Sequence, residues 1–481
     1  MPRPATPLSR AISIVPAFIL ALTAHADPTD TERVYYDAAL PDGTLQGGST
    51  RLPFVEPELL QAADAPPAAW TTLLNNGPSS NRLDVVFLGD GYRNIDLSNY
   101  NTHVQRAIDG LFASIPFSHY KTYFNIHRVD VISNESGVDN DPSPGILRDT
   151  ALDMGFWCEG IDRLLCVNTA KAYSYAANAP AADHLYTLAN SSRYGGAAYV
   201  SSRVVTFAAF HPDSPEIAIH ESGHTLGNLA DEYELGGPTN YTGPEPVEPN
   251  ASRLTADLME SAGIKWHRWL REVGGVLDGP VDTYLGCRYS IFGIYRPSPN
   301  SKMRALHNPF NAPSVEAIIL GIYQHVRPID ALSPPTSTHI TPTSILTVTP
   351  LRPHDFSLTI RWFLDGQPLP GANAETLNLA TLTIPALART VTVEVRDDNP
   401  MVRDPDARAQ LLTQSATWTF PPPPCPADAN GDRVVNFLDL NIVLAFFGEP
   451  VVLGVLGDLN NDGIVDFLDL NIVLSYFGQI C

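Results

Sequence analysis

The chain has 481 residues, more than one domain usually needs, and 44% of them are apolar, enough to build real cores. Its net charge of −22 makes nucleic acid and anionic membrane surfaces poor partners. No segment after Thr23 is a long uninterrupted apolar run, so no transmembrane segment is expected in the mature chain.

Residues 1–26 read as a signal peptide. Arg3 and Arg10 supply a basic start, Ala11 to Thr23 an apolar stretch, and Ala24-His25-Ala26 a small-residue cleavage site. The apolar stretch is short for an uncleaved anchor. A secreted, extracellular or cell-surface protein is therefore expected, in which disulfides are permitted. Cys158 and Cys166 are close enough to close a short loop, Cys425 and Cys481 bracket the C-terminal segment, and Cys287 is left over. Residues 27–75 are polar and proline-rich, without assigned elements. They are a candidate propeptide, with no cysteine for a cysteine switch.

The segment 76–330 reads as an α/β domain. RLDVVFLGDGY (82–92) predicts a buried strand ending in a turn, 96–114 a helix, and 124–133 a second strand. Further strands are expected at 182–190 and 203–210, and helices at 212–230, 254–273 and 313–326. Within 212–230, His220-Glu221-Ser222-Gly223-His224 places two imidazoles one turn apart on one helix face, where both can hold one metal ion. Glu221 then lies beside that ion, placed to act as general base on a zinc-activated water. Gly227 is expected to end the helix in the left-handed conformation.

A third ligand must follow. The spacing resembles the metzincin pattern H-E-x-x-H-x-x-G-x-x-[HD], but the last position here is Ala230, which cannot bind metal. Asp231 is the preferred ligand and Glu232 the alternative. Metzincins also carry a methionine turn beneath the zinc. Met303 suits that role, Met259 sits in a helical setting, and Tyr295 reads as structural.

As an ordered set, VVFLGDGY (85–92), FNIHRVDVISNESGVDN (124–140), RYGG (193–196), HESGHTLGNLADEY (220–233) and YRPSPNSKMR (295–304) resemble the IgA-peptidase family of bacterial zinc metallopeptidases. The resemblance implies a metzincin-like catalytic domain, one catalytic zinc, and endopeptidase activity on a protein or peptide substrate. It does not imply immunoglobulin A as that substrate. Ser222 departs from the aromatic that several members carry there.

From 331 to 420, short alternating stretches such as FSLTIRWFLDG and TVTVEVRDD predict an immunoglobulin-like β-sandwich. Pro421 to Pro424 form a stiff spacer within 421–481. Beyond it, NFLDLNIVLAFFG (436–448) repeats as DFLDLNIVLSYFG (466–478). Asp428, Asn430, Asp432 and Asp439 stand at positions 1, 3, 5 and 12 of one EF-hand-like loop. Asp458, Asn460, Asp462 and Asp469 do so in a second. The carbonyls of Val434 and Ile464 are expected to add an oxygen each. Two calcium ions are expected. The first loop should be more strained, because Arg433 stands where the second has Gly463. This small all-α segment resembles a type I dockerin, which implies a cohesin-like partner. Two other classes compete. A non-catalytic adhesin would need a degenerate metal site, against which His220, Glu221 and His224 stand. A carbohydrate-active enzyme rests only on the dockerin.

Overall fold

The computed structural model describes residues 31–40, 44–54, 66–236, 239–271, 279–385, 388–421, 425–451 and 457–480. The expected signal peptide, most of the proline spacer and Cys481 lie outside the described residues. The chain divides into two compact units. One comprises Met1–Asn75, Asp84–Ser114 and Ile126–Ile318, the other Asn76–Leu83, Ile115–Asn125 and Ile319–Cys481.

From Thr31 to Ile322 the elements are strands β1 (Thr31–Ala39), β2 (Leu45–Pro53), β3 (Ala69–Leu74) and β4 (Leu83–Asp90), helix α1 (Leu97–Ala113), β5 (Phe124–Asp130), α2 (Thr169–Ala176), β6 (His184–Ala189), β7 (Gly196–Tyr199), β8 (Val204–Ala208), α3 (Ser214–Gly227), α4 (Ala256–Ala262), β9 (Tyr284–Cys287), β10 (Ser290–Arg296) and α5 (Ala312–Ile322). Eight strands form one mixed sheet in the order β2-β1-β7-β8-β6-β4-β5-β3. β4, β6 and β8 run parallel, while β7 pairs antiparallel with both β8 and β1. β4, β6 and β8 are buried along their whole length. They are covered on both faces, and so read in sequence as mostly apolar stretches rather than as alternating ones. Val86, Leu88, Leu185, Ala189 and Val204 join Leu152, Met154 and Phe156 in one core. Helix α3 packs on α1, β7 and β8.

Two features differ from the sequence reading. The segment 27–75 is not separate from the domain expected to begin at 76, because β1, β2 and β3 are strands of the same sheet. Gly227 stays helical, and Asn228 takes the left-handed turn at φ 48° and ψ 41°. A Cβ on Gly227 would lie 3.0 Å from Ile318 Cγ1 and 3.0 Å from Leu229 Cγ, so this glycine serves close packing. Asparagine is among the few side chains that tolerate the left-handed region.

In the second unit, β11 (Ile329–Ser333), β12 (Ile345–Pro350), β13 (Leu358–Leu364), β14 (Gln367–Pro368), β15 (Thr376–Asn378), β16 (Thr390–Asp397), α6 (Pro405–Leu411) and β17 (Thr413–Thr419) form two antiparallel sheets, β11-β12-β15 and β14-β13-β16-β17. Both contribute to one core, in which Trp362 and Trp418 stack with ring centroids 5.7 Å apart. Two more helices, α7 (Phe437–Ala445) and α8 (Phe467–Tyr476), close on a small core of Ala427, Val435, Val443, Val465 and Val473.

Cys158 is bonded to Cys166, Cys425 is disulfide-bonded, and Cys287 is free and buried. Among the described residues, no helix is long and apolar enough to cross a membrane.

Candidate metal centre

Helix α3 starts with Pro215 in its first turn, where no backbone donor is lost. It is buried on nearly every side, which is why it lacks an ordinary polar face. His220, Glu221 and His224 are each at most 1% exposed, as is Asp231 in the loop after the helix. Asp231 Oδ1 lies 3.2 Å from His220 Nε2 and 3.4 Å from His224 Nε2. These are charge contacts without hydrogen-bond alignment. His220 Nε2, His224 Nε2, Asp231 Oδ1 and both Glu221 oxygens are all buried without a hydrogen-bond partner.

The opposite edge of each group is anchored. His220 Nδ1 donates to the Lys302 carbonyl at 2.9 Å and His224 Nδ1 to the Leu229 carbonyl at 2.7 Å. Both rings therefore present the Nε2 lone pair inward. Tyr289 donates its hydroxyl to Asp231 Oδ2 at 2.6 Å. Two imidazoles and a carboxylate, each oriented by an outer hydrogen bond, make a donor set of the kind that holds zinc. The ligand atoms of His220, His224 and Asp231 lie within 4.8 Å of one another, close enough to share one ion.

Electrostatics point the same way. Burial, then Asp37 and Asp231, push the Glu221 carboxyl well above its ordinary value. Burial also acts to raise Asp231, but His224 and His220 hold it below the usual range. Burial opposes charge on His220, yet Asp37 and Asp231 raise it overall. A dry cluster of three carboxylates around two imidazoles is costly unless a cation sits among them.

The alternative carboxylate, Glu232, faces away from this cluster. It accepts from Asn250 Nδ2 at 2.8 Å, Asn311 Nδ2 at 2.9 Å and Ser301 Oγ at 2.7 Å, and its own N–H donates to the Met303 carbonyl. Met303 is fully buried under α3. A Cβ on Gly223 would lie 2.8 Å from its sulfur and 3.0 Å from Phe310 Cε1, so the glycine lets the helix pack closely on the methionine. Met259 belongs to another cluster, with Trp266 and Trp269. Tyr295 pairs through its backbone with Ser252.

Residues without a sequence signal complete the site. Asp37 on β1 is buried, with Oδ2 3.3 Å from His220 Nε2 and Oδ1 accepting from the Tyr194 hydroxyl at 2.7 Å. Tyr35 stacks on the His224 ring at 3.9 Å, with 3° between the planes. Tyr233 is buried, and its hydroxyl has no hydrogen-bond partner.

A second cluster lies before α7 and α8. Asp428, Asp432 and Asp439 bring carboxylate oxygens within 4.8 Å of one another. Asp428 accepts the N–H groups of Gly431, Asp432 and Arg433, Asn430 that of Asp432, and Asp439 those of Asn430 and Asn436. The second loop repeats this wiring. Asp458 accepts from Asp462 and Gly463, Asn460 from Asp462, and Asp469 from Leu459, Asn460 and Asp466. The position-6 residue is left-handed in both loops, with φ 65° at Arg433 and 87° at Gly463. The expected strain is thus local to Arg433. Val434 and Ile464 bridge by backbone to Ile480 and Pro450, so each loop is tied to the segment that follows the other repeat's helix.

No curated protein matches the chain. Residues 71–280 match the family model described as IgA Peptidase M64, a stretch that includes α3 and Asp231 and ends before Met303. Over that region the chain is similar to a family of proteases, and the match supports its being a peptidase of the IgA-peptidase family.

Proposed function

We propose that the chain is a secreted zinc metalloendopeptidase of metzincin-like construction, with His220, His224 and Asp231 holding the metal. The observation that carries this reading is the convergence of buried donor atoms without hydrogen-bond partners: two Nε2 atoms, Asp231 Oδ1 and the Glu221 carboxylate. Zinc held by these residues would supply Lewis acidity at the site. Glu221 is placed to accept a proton from an attacking water and to pass it to the leaving amine. Asp231 and the two imidazoles hold the metal, and the Lys302 and Leu229 carbonyls and Tyr289 keep them in orientation.

The test is metal analysis followed by casein digestion with and without a chelator. Stoichiometric zinc and chelator-sensitive cleavage are expected. Glu221→Gln should keep zinc and lower kcat by about two to four orders of magnitude. His224→Ala should lose the metal itself. Casein cleavage by Glu221→Gln at the wild-type rate would overturn the general-base assignment.

The repeat at 425–481 is proposed to bind two calcium ions through Asp428, Asn430, Asp432 and Asp439 and through Asp458, Asn460, Asp462 and Asp469. As a dockerin-like module it would anchor the peptidase to an extracellular assembly through a cohesin-like partner. The shared wiring of the two loops supports the calcium sites. A calcium-dependent pull-down with a cohesin tests the anchoring, and its failure would leave the calcium sites standing.

A further inference from the structure

An endopeptidase must admit a polypeptide to its general base, yet here Glu221 is fully buried. The cover over it is the β1–β2 hairpin. β7 is hydrogen-bonded to β8 on one side, and β1 takes its other edge in antiparallel register, Val34 opposite Tyr199, Tyr35 opposite Ala198 and Tyr36 opposite Ala197. The base packs on the face of β7, where a Cβ on Gly196 would lie 3.0 Å from Glu221 Oε1, and Asp37 at the end of the β1 pairing brings a ligand atom within 4.8 Å of Glu221. Extended peptides bind by adding a strand to such an edge. β1 therefore lies where a substrate chain would lie.

From this strand Asp37 reaches the cluster. Its Oδ2 is buried, lacks a hydrogen-bond partner and stands 3.3 Å from His220 Nε2. Asp37, His220 and Glu221 bring ligand atoms within 4.8 Å of one another, so the carboxylate falls on the side of the histidines that Glu221 also faces. That is the side from which a water would be deprotonated. Tyr35 covers the His224 ring, and its hydroxyl donates to Glu248 Oε1 at 3.0 Å, beside Arg33 Nη1 at 2.6 Å. Across the hairpin, Asp37 is paired with Gly47. A Cβ on Gly47 would lie 2.0 Å from the Tyr36 carbonyl and 2.7 Å from the Tyr233 hydroxyl, so β2 also lies over Tyr233.

We propose that Asp37 is a fourth protein ligand of the metal and that the β1–β2 hairpin, residues 31–53, inhibits the enzyme by filling the substrate edge of β7. This inference rests on the zinc-peptidase reading above. In it, the folded chain is a latent form, and substrate enters only when the hairpin leaves β7.

The test uses the full chain loaded with cobalt(II) in place of zinc. Asp37→Ala should change the visible absorption, because water replaces a carboxylate on the ion. In the zinc form, Asp37→Ala and Gly47→Val should each raise cleavage of a mixed fluorogenic peptide library by about tenfold or more, since each enlarges the open fraction. Gly47→Val touches no metal ligand, and a misfolded variant does not gain activity. A chain that binds no cobalt defeats the zinc reading as well. Cobalt bound with a spectrum indifferent to Asp37 defeats the fourth ligand alone. Wild type retaining residues 31–53 by mass spectrometry, and cleaving as fast as both variants, defeats the inhibitory role.

Discussion

Asp231 and Glu232 are adjacent buried carboxylates with different surroundings, and, on the proposed reading that Asp231 alone of the two holds the metal, replacing each by alanine should separate them. Glu232 has no place in the metal cluster. Its loss would take one acceptor from each of Asn250, Asn311 and Ser301, although Asn250 keeps the Ala230 carbonyl and Asn311 the Ser298 hydroxyl. Each lost acceptor costs about 1–3 kcal/mol, and they share one site, so a total of roughly 3–5 kcal/mol is expected. At about 2–4 °C per kcal/mol for a domain of this size, the metal-free chain should melt roughly 10 °C lower. Asp231→Ala instead removes one of four proposed protein donors, Asp37 included. Zinc sites release about 10–16 kcal/mol in total, so one ligand is worth roughly 3 kcal/mol and its loss about a hundredfold in affinity. Metal-free melting should fall less than in Glu232→Ala, because the side-chain hydrogen bond lost is the single one from the Tyr289 hydroxyl to Asp231 Oδ2. The assays are calorimetry of the metal-free chains and zinc titration against a competing chelator. Zinc affinity lost in folded Glu232→Ala but retained in Asp231→Ala would refute the assignment.

Tyr289→Phe removes the hydroxyl that holds Asp231 Oδ2. Zinc affinity should fall about tenfold in chelator competition, with the fold unchanged by circular dichroism. Arg433→Gly relieves a left-handed side chain in the first calcium loop and should stabilise that module by about 1 kcal/mol, read as a higher melting temperature. Removing calcium should melt residues 425–481 ahead of the peptidase, since clustered carboxylates repel one another and calcium stabilises only the folded loops. A calorimetric trace with no calcium-dependent transition, before or after reduction of the disulfides, would count against that.

What the sequence disclosed depended on whether a residue is buried for its own hydrophobicity or for a distant partner. β4, β6 and β8 are covered on both faces and show as mostly apolar stretches. α3 shows through its motif rather than an amphipathic pattern, because it is buried nearly all round. β1 and β2 were illegible. Glu32 is buried against Ser202, Tyr35 against Glu248 and Asp37 against the histidines, and none of these partners is near in sequence. β7 is Gly-Ala-Ala-Tyr, too small to signal a strand; the glycine is needed because Ile217 and Glu221 press on it. The choice between Asp231 and Glu232 turned on Asn250, Asn311 and Ser301, contacts that only the folded chain reveals.

The one-residue offset of Asp231 follows from how α3 ends. In H-E-x-x-H-x-x-G-x-x-[HD], the turning glycine stands three residues before the last ligand. Here Gly227 is held in the helix, and the left-handed residue is Asn228, three residues before Asp231. Moving the turn by one moves the carboxylate by one, and the interval between them is kept. The same turn delivers the Leu229 carbonyl to His224 Nδ1, and the Leu229 N–H returns to the Gly223 carbonyl. One backbone conformation thus sets both a histidine's orientation and the carboxylate's position. Asn228→Gly should preserve zinc affinity and raise the melting temperature slightly. Asn228→Ala, with a Cβ in the left-handed region and no side-chain compensation, should cost about 1–2 kcal/mol and weaken zinc binding. Chelator competition and calorimetry on the two variants give the ordering. Equal zinc affinity in the alanine and glycine forms would mean that the turn does not position Asp231.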